Sequence, residues 1–496
     1  MPNSNIIPPN EQNIADTLLQ IRSELSALKK NRASYIKSTD IAPIHERLIQ
    51  QIRAINAIRA DPSLQHEQNK VDIILDDVFR LLSLAFLTAG LNRSAPATFA
   101  SLSAVQSLLD HLKESQVYSD NDTAPIRTRL DEIKVILAEQ EEAGTESPEI
   151  LHLLKTKLDV ASHSLKEVED SMKAVFDSGL NDMLRRLVAL RREILSIGSK
   201  PRYSASSLTP VSAKLAQIEA ERDDEGNFVA SDGKVNPEAQ AVLNSLLDEC
   251  RNLIKEFSGA VTARSSNDMP EQLRPFYKKL VELKSKLENL LVTHRWTMRE
   301  TDLYAYQKSL EEIDTARTSD PELAALAKEN HKASAIILYL LRRCYAILYK
   351  LLESSQPVSE ALIPVHNQLS TVRRCLLEVQ RNGGLSSARE LYPYQMKLAS
   401  IDDMRVDGKF MVGDTIPEGQ GMLNALLSEC FEICYELKVE MMDRNESGTN
   451  EEDNSIQFTE GAEDREEEIC EGDDDEEAVE EDDEGVEITR EPSSRD

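Results

Sequence analysis

The chain has 496 residues, 40% of them hydrophobic and 29% charged, with 5% aromatics, one tryptophan (Trp296) and 17 glycines. This is the profile of a helical protein. It argues against an aromatic-rich β-sandwich and leaves little glycine for phosphate-cradling loops. The formal net charge is −31, but 24 acidic residues against three arginines after residue 445 carry most of it, so the body is only mildly acidic.

The opening MPNSNIIPPNEQN lacks the basic and apolar regions of a secretory signal, and residues 1–10 are expected to be disordered. From residue 11 a pattern starts that recurs five times. Its first element carries leucine-type residues three, four and three positions apart, which places all four on one helical face. The series begins at Leu18, Ile21, Leu25 and Leu28 and continues at Leu102, Val105, Leu109 and Leu112. Leu187, Leu190, Ile194 and Ile197 follow, then Leu280, Leu283, Leu287 and Leu290, then Leu369, Val372, Leu376 and Val379.

A second helix is expected to start at a proline: Pro43, Pro125, Pro210 and Pro393, with Ala305 in the fourth copy. Proline favours the first helical turn, where its missing N–H costs nothing. The third element is a longer helix with Leu-Leu-x-x-Cys at Cys250, Cys344 and Cys430, and Ile74-Leu75 and Leu153-Leu154 as weaker counterparts. Pro-Glu pairs at 148, 237, 321 and 417 mark helix starts, because carboxylates favour the positive helix end.

The clearest copy is PEAQAVLNSLLDEC (237–250) against PEGQGMLNALLSEC (417–430), with nine of 14 positions identical. Unrelated chains would share about one. The fold expectation is all-α: tandem three-helix units forming helical bundles or a short solenoid. A first unit spans 11–97, duplicated blocks span 98–260 and 266–441, and 442–496 is an acidic tail with too few apolar residues for a core, expected to be disordered.

No catalytic motif is found. The eight histidines form no HExxH, and no Cys-x-x-Cys pair completes a zinc site. The six cysteines at 250, 344, 375, 430, 434 and 470 are too scattered for a disulfide framework. No catalytic residue, metal or cofactor is assigned. The most apolar run, Val78–Leu91, is too short to span a bilayer, so no membrane role is expected. Two related loops, Asp223–Gly226 with Phe228 and Asp407-Gly408 with Phe410, lack the register of a calcium loop. They read as turns with their phenylalanines tucked onto the bundle, and as the candidate functional surface of the body.

Arginine pairs at 185–186, 191–192, 342–343 and 373–374 read as exposed partners of helix carboxylates. Nucleic-acid binding is not expected, because acids outnumber bases in the body and the tail competes with phosphate. The tail suits a basic protein partner such as histones, or serves solubility alone. Ser447, Ser455 and Thr459 sit among acids as candidate phosphorylation sites.

The segments RRCLLEVQRNGGLSSARELYPYQMKL (373–398) and VDGKFMVGDTIPEGQGMLNALLSECFEICYEL (406–437) resemble a fungal family of uncharacterised function. The resemblance runs over most of the body and implies an all-helical protein of cytoplasm and nucleus with a duplicated domain. It brings no catalytic residues. The functional expectation is a non-enzymatic helical adaptor that binds proteins through helix faces and the acidic tail. One alternative is an enzyme or small-ligand protein with a site between the two duplicated blocks. Another is a chaperone for histones or other basic proteins.

Overall fold

Each leucine stripe opens one of five helix groups. The structure is a computed structural model that describes residues 7–60, 69–200, 202–223, 225–229, 235–262, 269–294, 298–354 and 357–448. The first group is α1 (Gln12–Lys30), α2 (Ser38–Arg59) and α3 (Lys70–Thr88), and the second is α4 (Thr98–Ser115), α5 (Asp120–Ala143) and α6 (Pro148–Ser171). A short helix, α7 (Lys173–Asp177), leads to α8 (Asn181–Gly198), α9 (Ala205–Ala220) and α10 (Pro237–Thr262). The fourth group is α11 (Arg274–Asn289), α12 (Leu303–Ser319), α13 (Pro321–Glu329) and α14 (His331–Glu353). The fifth is α15 (Ile363–Arg381), α16 (Tyr392–Asp402), the hairpin of β1 (Arg405–Val406) and β2 (Lys409–Phe410), and α17 (Gln420–Gly448).

The stripes face the core. The first three apolar residues of every stripe are buried, and the fourth is partly buried in four of the five helices, with Leu112 the fully buried exception. At about 1.5–3 kcal/mol per buried side chain, one stripe anchors its helix.

The helix starts depart from the proline rule in three groups. Pro43, Pro125 and Pro210 lie inside α2, α5 and α9, five residues after the first helical position. Caps fix the starts of α2 and α5 instead: Asp40 accepts the Lys37 backbone N–H, and Asp122 accepts that of Ser119. A proline one turn inside loses a single ladder bond, which those caps and the buried stripe outweigh. Two Pro-Glu pairs also behave differently from expectation. Pro321-Glu322 begins only the short α13, which stops at Asn330 before α14. Pro417-Glu418 precedes α17, because Gly419 has a φ of +103° and its backbone sits against Val358. A Cβ at Gly419 would come within 2.8 Å of the Val358 Cα, so only glycine fits there.

Two helices are buried nearly all round. Every residue of α3 from Val78 to Thr88 is buried, and α14 buries Ile336, Ile337, Leu340, Leu341, Cys344 and Leu348 among others. Helices that are apolar on all faces belong at the centre. In keeping with this, α14 packs on α11 and α12 of its own group, and also on α4 and α8. A solenoid repeat touches only its neighbours. Here the fourth group folds back onto the second, so the architecture is one of fused bundles.

One continuous core runs from Ile14 to Leu352 through the first four groups, and the fifth has its own core from Val358 to Met441. Arg299, 3% exposed, ties the two parts: it donates to Asn31 O at 2.7 Å and Ser34 O at 3.0 Å and pairs with Glu360. The body up to Met441 is one compact unit, and the residues from Met442 form a second, of which only the end of α17 is described. The acidic run that was expected to be disordered, with Ser455 and Thr459, lies outside the described residues, and Ser447 falls in the last turn of α17.

Candidate functional site

The two related loops are built on one plan. The Gln240 side-chain amide accepts the Phe228 N–H at 2.9 Å and donates to the Phe228 carbonyl at 2.6 Å. Gln420 does the same for Phe410, at 2.9 and 2.8 Å. Arg222 donates to Asn244 and Arg405 to Asn424, again one pattern used twice. Asp223 closes its loop by accepting the Asn227 N–H, with Gly226 at positive φ. Asp407 and Gly408, at φ +50° and +74°, form the two-residue turn that joins β1 to β2. Phe228 and Phe410 are 1% and 2% exposed, so they are anchors and offer no contact surface. Each loop's bonds run to its own helix group, and a structural fastening accounts for the shared sequence.

Of the five described cysteines, Cys250, Cys344, Cys430 and Cys434 are buried and Cys375 is exposed. Cys344 donates to Leu280 O at 3.9 Å and Cys430 to Leu369 O at 3.7 Å, in both cases the carbonyl of the first stripe leucine. Burial pushes the Cys250 and Cys344 thiols up to about 12 and Cys430 up to about 11, which suppresses thiolate chemistry. Among the described residues no group of three or more His, Cys, Asp or Glu is arranged to hold a metal.

The remaining arginine pairs divide by environment. Arg185 and Arg186 are surface residues bound to Asp120 and Glu221, and Arg373 pairs with Glu429. The pairs at 191–192 and 342–343 instead converge on a cavity of about 480 Å³. Its walls are Leu108, Leu112 and Ser115 of α4, Asp122, Pro125 and Ile126 of α5, Arg191, Arg192 and Ser196 of α8, and Leu338, Tyr339, Arg342, Arg343 and Tyr349 of α14. Such a volume suits a small organic molecule, and a mostly apolar lining with a few converging polar groups is what ligand sites have in common.

Within the cavity the charges are unevenly partnered. Arg191 is 8% exposed and donates to Glu249 at 2.7 Å. Arg343 lies 3.5 Å from Glu288. Arg192 pairs with Asp122, while Arg342 reaches the same carboxylate only at 4.0 Å. Arg342 Nη1 donates at 2.9 Å to Ser115 Oγ and to Val117 O, both neutral acceptors. Burial, outweighing Asp122 and reinforced by Arg192 and Arg191, pushes the Arg342 pKa down to about 10. Arg191 Nε and Tyr349 Oη, in the same walls, have no hydrogen-bond partner among the described residues. The sequence signal for this site was Arg342-Arg343 within IILYLLRRCYAILYKLL: two adjacent charges on a helix otherwise apolar enough to be buried.

A model of a family described as a protein of unknown function (DUF2408) matches the chain twice, at residues 172–300 and 355–459. Over 90% of its length the chain is 40% identical to a Saccharomyces cerevisiae protein named Cu(2+) suppressing and bleomycin sensitive protein 1, covering 93% of that protein. It is also 38% identical over 88% of its length to a CUB1 family protein of Schizosaccharomyces pombe, covering 94% of it. The chain belongs to this fungal family. No solved structure matches it. The DUF2408 matches contain α8, with Arg191 and Arg192, and the whole fifth group, whereas α14 lies between them. None of the described helices is long and apolar enough to cross a membrane.

Proposed function

We propose that this family member is a non-catalytic helical protein that binds a small ligand between its two duplicated blocks. One observation supports the reading most directly. The cavity takes α4, α5 and α8 from residues 98–260 and α14 from residues 266–441, so a guest would contact both blocks at once. Ligand binding at such a seam stabilises the joined arrangement by an amount that grows with the logarithm of ligand concentration over Kd. The copper named for the Saccharomyces relative is not carried over as the ligand, because four of the five described cysteines are buried and burial pushes Cys250 and Cys344 up in pKa.

The test is a thermal-shift screen of the full-length protein against metabolites, repeated on Ala346→Trp, which places bulk at the cavity wall. Compounds that raise the wild-type Tm and fail on the variant support the reading. No stabilisation of the wild type by any compound contradicts it.

A second reading, an adaptor for other proteins in cytoplasm and nucleus, is favoured by a different observation. Large apolar side chains are exposed on the fifth group: Tyr392 and Met396 on α16, Met404 and Val406 at the hairpin, and Phe431 and Tyr435 on α17. Tyr392 with Met396, and Phe431 with Tyr435, stand one helical turn apart, and contiguous exposed apolar surface marks interaction sites. Pulldowns with and without residues 446–496 separate this face from the acidic tail: basic partners leave with the tail, and partners of the apolar face remain. An unchanged list of basic partners would reduce the tail to a solubility device.

A further inference from the structure

The chemical class of the guest follows from the charge on the walls, an argument that rests on the ligand-binding reading above. Of the side chains around the cavity, four are arginines and two are carboxylates, Asp122 and Glu193. Glu193 is already taken by Lys214 at 2.7 Å. Glu249 and Glu288 lie outside the lining and serve Arg191 and Arg343. That leaves Arg192 and Arg342 with one carboxylate between them. The Arg342 guanidinium is partly buried, its hydrogen-bonded partners are neutral and its nearest carboxylate is 4.0 Å away, so its charge is under-compensated. Its planar fork also matches a carboxylate or phosphate held by two parallel bonds.

We propose that the seam takes an organic anion, its carboxylate or phosphate head held by Arg342 and Arg192 and its apolar body lying against Leu108, Leu112, Ile126 and Leu338. Asp122 is then the internal competitor. In the empty protein it occupies Arg192, and the arriving head displaces it or shares the pair. Its other oxygen accepts the Ser119 N–H at 2.9 Å, so Asp122→Asn keeps an oxygen for the cap of α5 while withdrawing the competing charge. This makes the inference testable by a gain as well as by a loss.

The experiment is isothermal titration calorimetry on full-length wild type, Asp122→Asn and Arg342→Met. The probes are matched pairs: naphthylacetate with naphthylacetamide, and naphthyl phosphate with naphthol, plus inorganic phosphate as a head without a body. In the wild type each acid binds at least roughly tenfold tighter than its neutral partner, the effect of one charge-assisted contact. Asp122→Asn tightens the acids by about tenfold and leaves the neutral compounds unchanged. Arg342→Met abolishes the preference for the acids. The tighter of the two acids identifies the head group.

Equal binding of acids and neutral compounds by the wild type overturns the anion inference and leaves the cavity reading standing. Inorganic phosphate binding as tightly as naphthyl phosphate overturns the role of the apolar body. No binding by any probe, to wild type or to Asp122→Asn, overturns both readings.

Discussion

Replacing Arg342 by methionine separates a structural arginine from one kept for a ligand. An arginine whose pKa falls from its ordinary value to about 10 carries its charge in the folded protein at a cost of roughly 3 kcal/mol. Methionine removes that cost and fills the space with an adaptable apolar chain. Against the gain stand two lost hydrogen bonds, to Ser115 Oγ and Val117 O. Orphaning the one partner that has no other strong bond costs about 1–3 kcal/mol. The balance lies between neutral and ~2 kcal/mol in favour of the variant, as found when buried ion groups give way to apolar ones. Scanning calorimetry of the empty full-length protein should therefore show an unchanged or higher Tm for Arg342→Met. A variant destabilised by more than about 1 kcal/mol would mean that Arg342 holds the turn after α4 together, and the argument from its poor compensation would fail.

Three further outcomes are expected. Burial pushes His45 down to about 4, so between that pH and its unfolded value the unfolded chain binds more protons than the folded one. Stability is then complete above about pH 6.5 and falls by up to ~3 kcal/mol as pH drops towards 4. Glu146, raised by burial, contributes with the opposite sign. Urea titrations across this range should show a flatter slope for His45→Gln, and an unchanged slope would count against the burial of His45. Gln240→Ala leaves the Phe228 N–H and carbonyl unpaired and should cost about 2–4 kcal/mol, with faster amide exchange at Phe228. Stability within 0.5 kcal/mol of wild type, roughly the range of neutral surface changes, would show that the glutamine is not the fastener. In a Cys470→Ser background the native protein should expose one fast-reacting thiol, Cys375, to a disulfide reagent, and the other four only after unfolding. Rapid reaction at Cys250 or Cys344 would contradict their burial.

The helices were legible in the sequence because burial imposes a period. The stripes from Leu18 to Val379 fall on α1, α4, α8, α11 and α15, with Leu290 just past the end of α11. Three starts of second helices, at Pro43, Pro125 and Pro210, were misread because proline is permitted at a helix start without defining one, whereas Pro393 does open α16. At α2 and α5 an aspartate three residues into the turn decides the boundary. The loops around Phe228 and Phe410 drew attention by their repetition, and the structure gives repetition a packing cause through Gln240 and Gln420. The cavity was only half visible. A site between the duplicated blocks was among the readings, but its walls come from segments near 108–126, 191–196 and 335–349. Nothing local in those segments says that they meet. Arg342 was noticed as half of a pair and assigned to the surface, because charged residues usually lie there. What placed it inside was the packing of α14 against α4 and α8, a long-range contact that no window of sequence contains.

The most direct test of the account is a crystal structure of the full-length protein soaked with naphthyl phosphate. The account predicts density for the compound between α14 and α8, with the phosphate within hydrogen-bonding reach of both Arg342 and Arg192 and the rings against Leu112 and Leu338. Density confined to the outer surface, or a closed and empty seam at a saturating concentration, would contradict it.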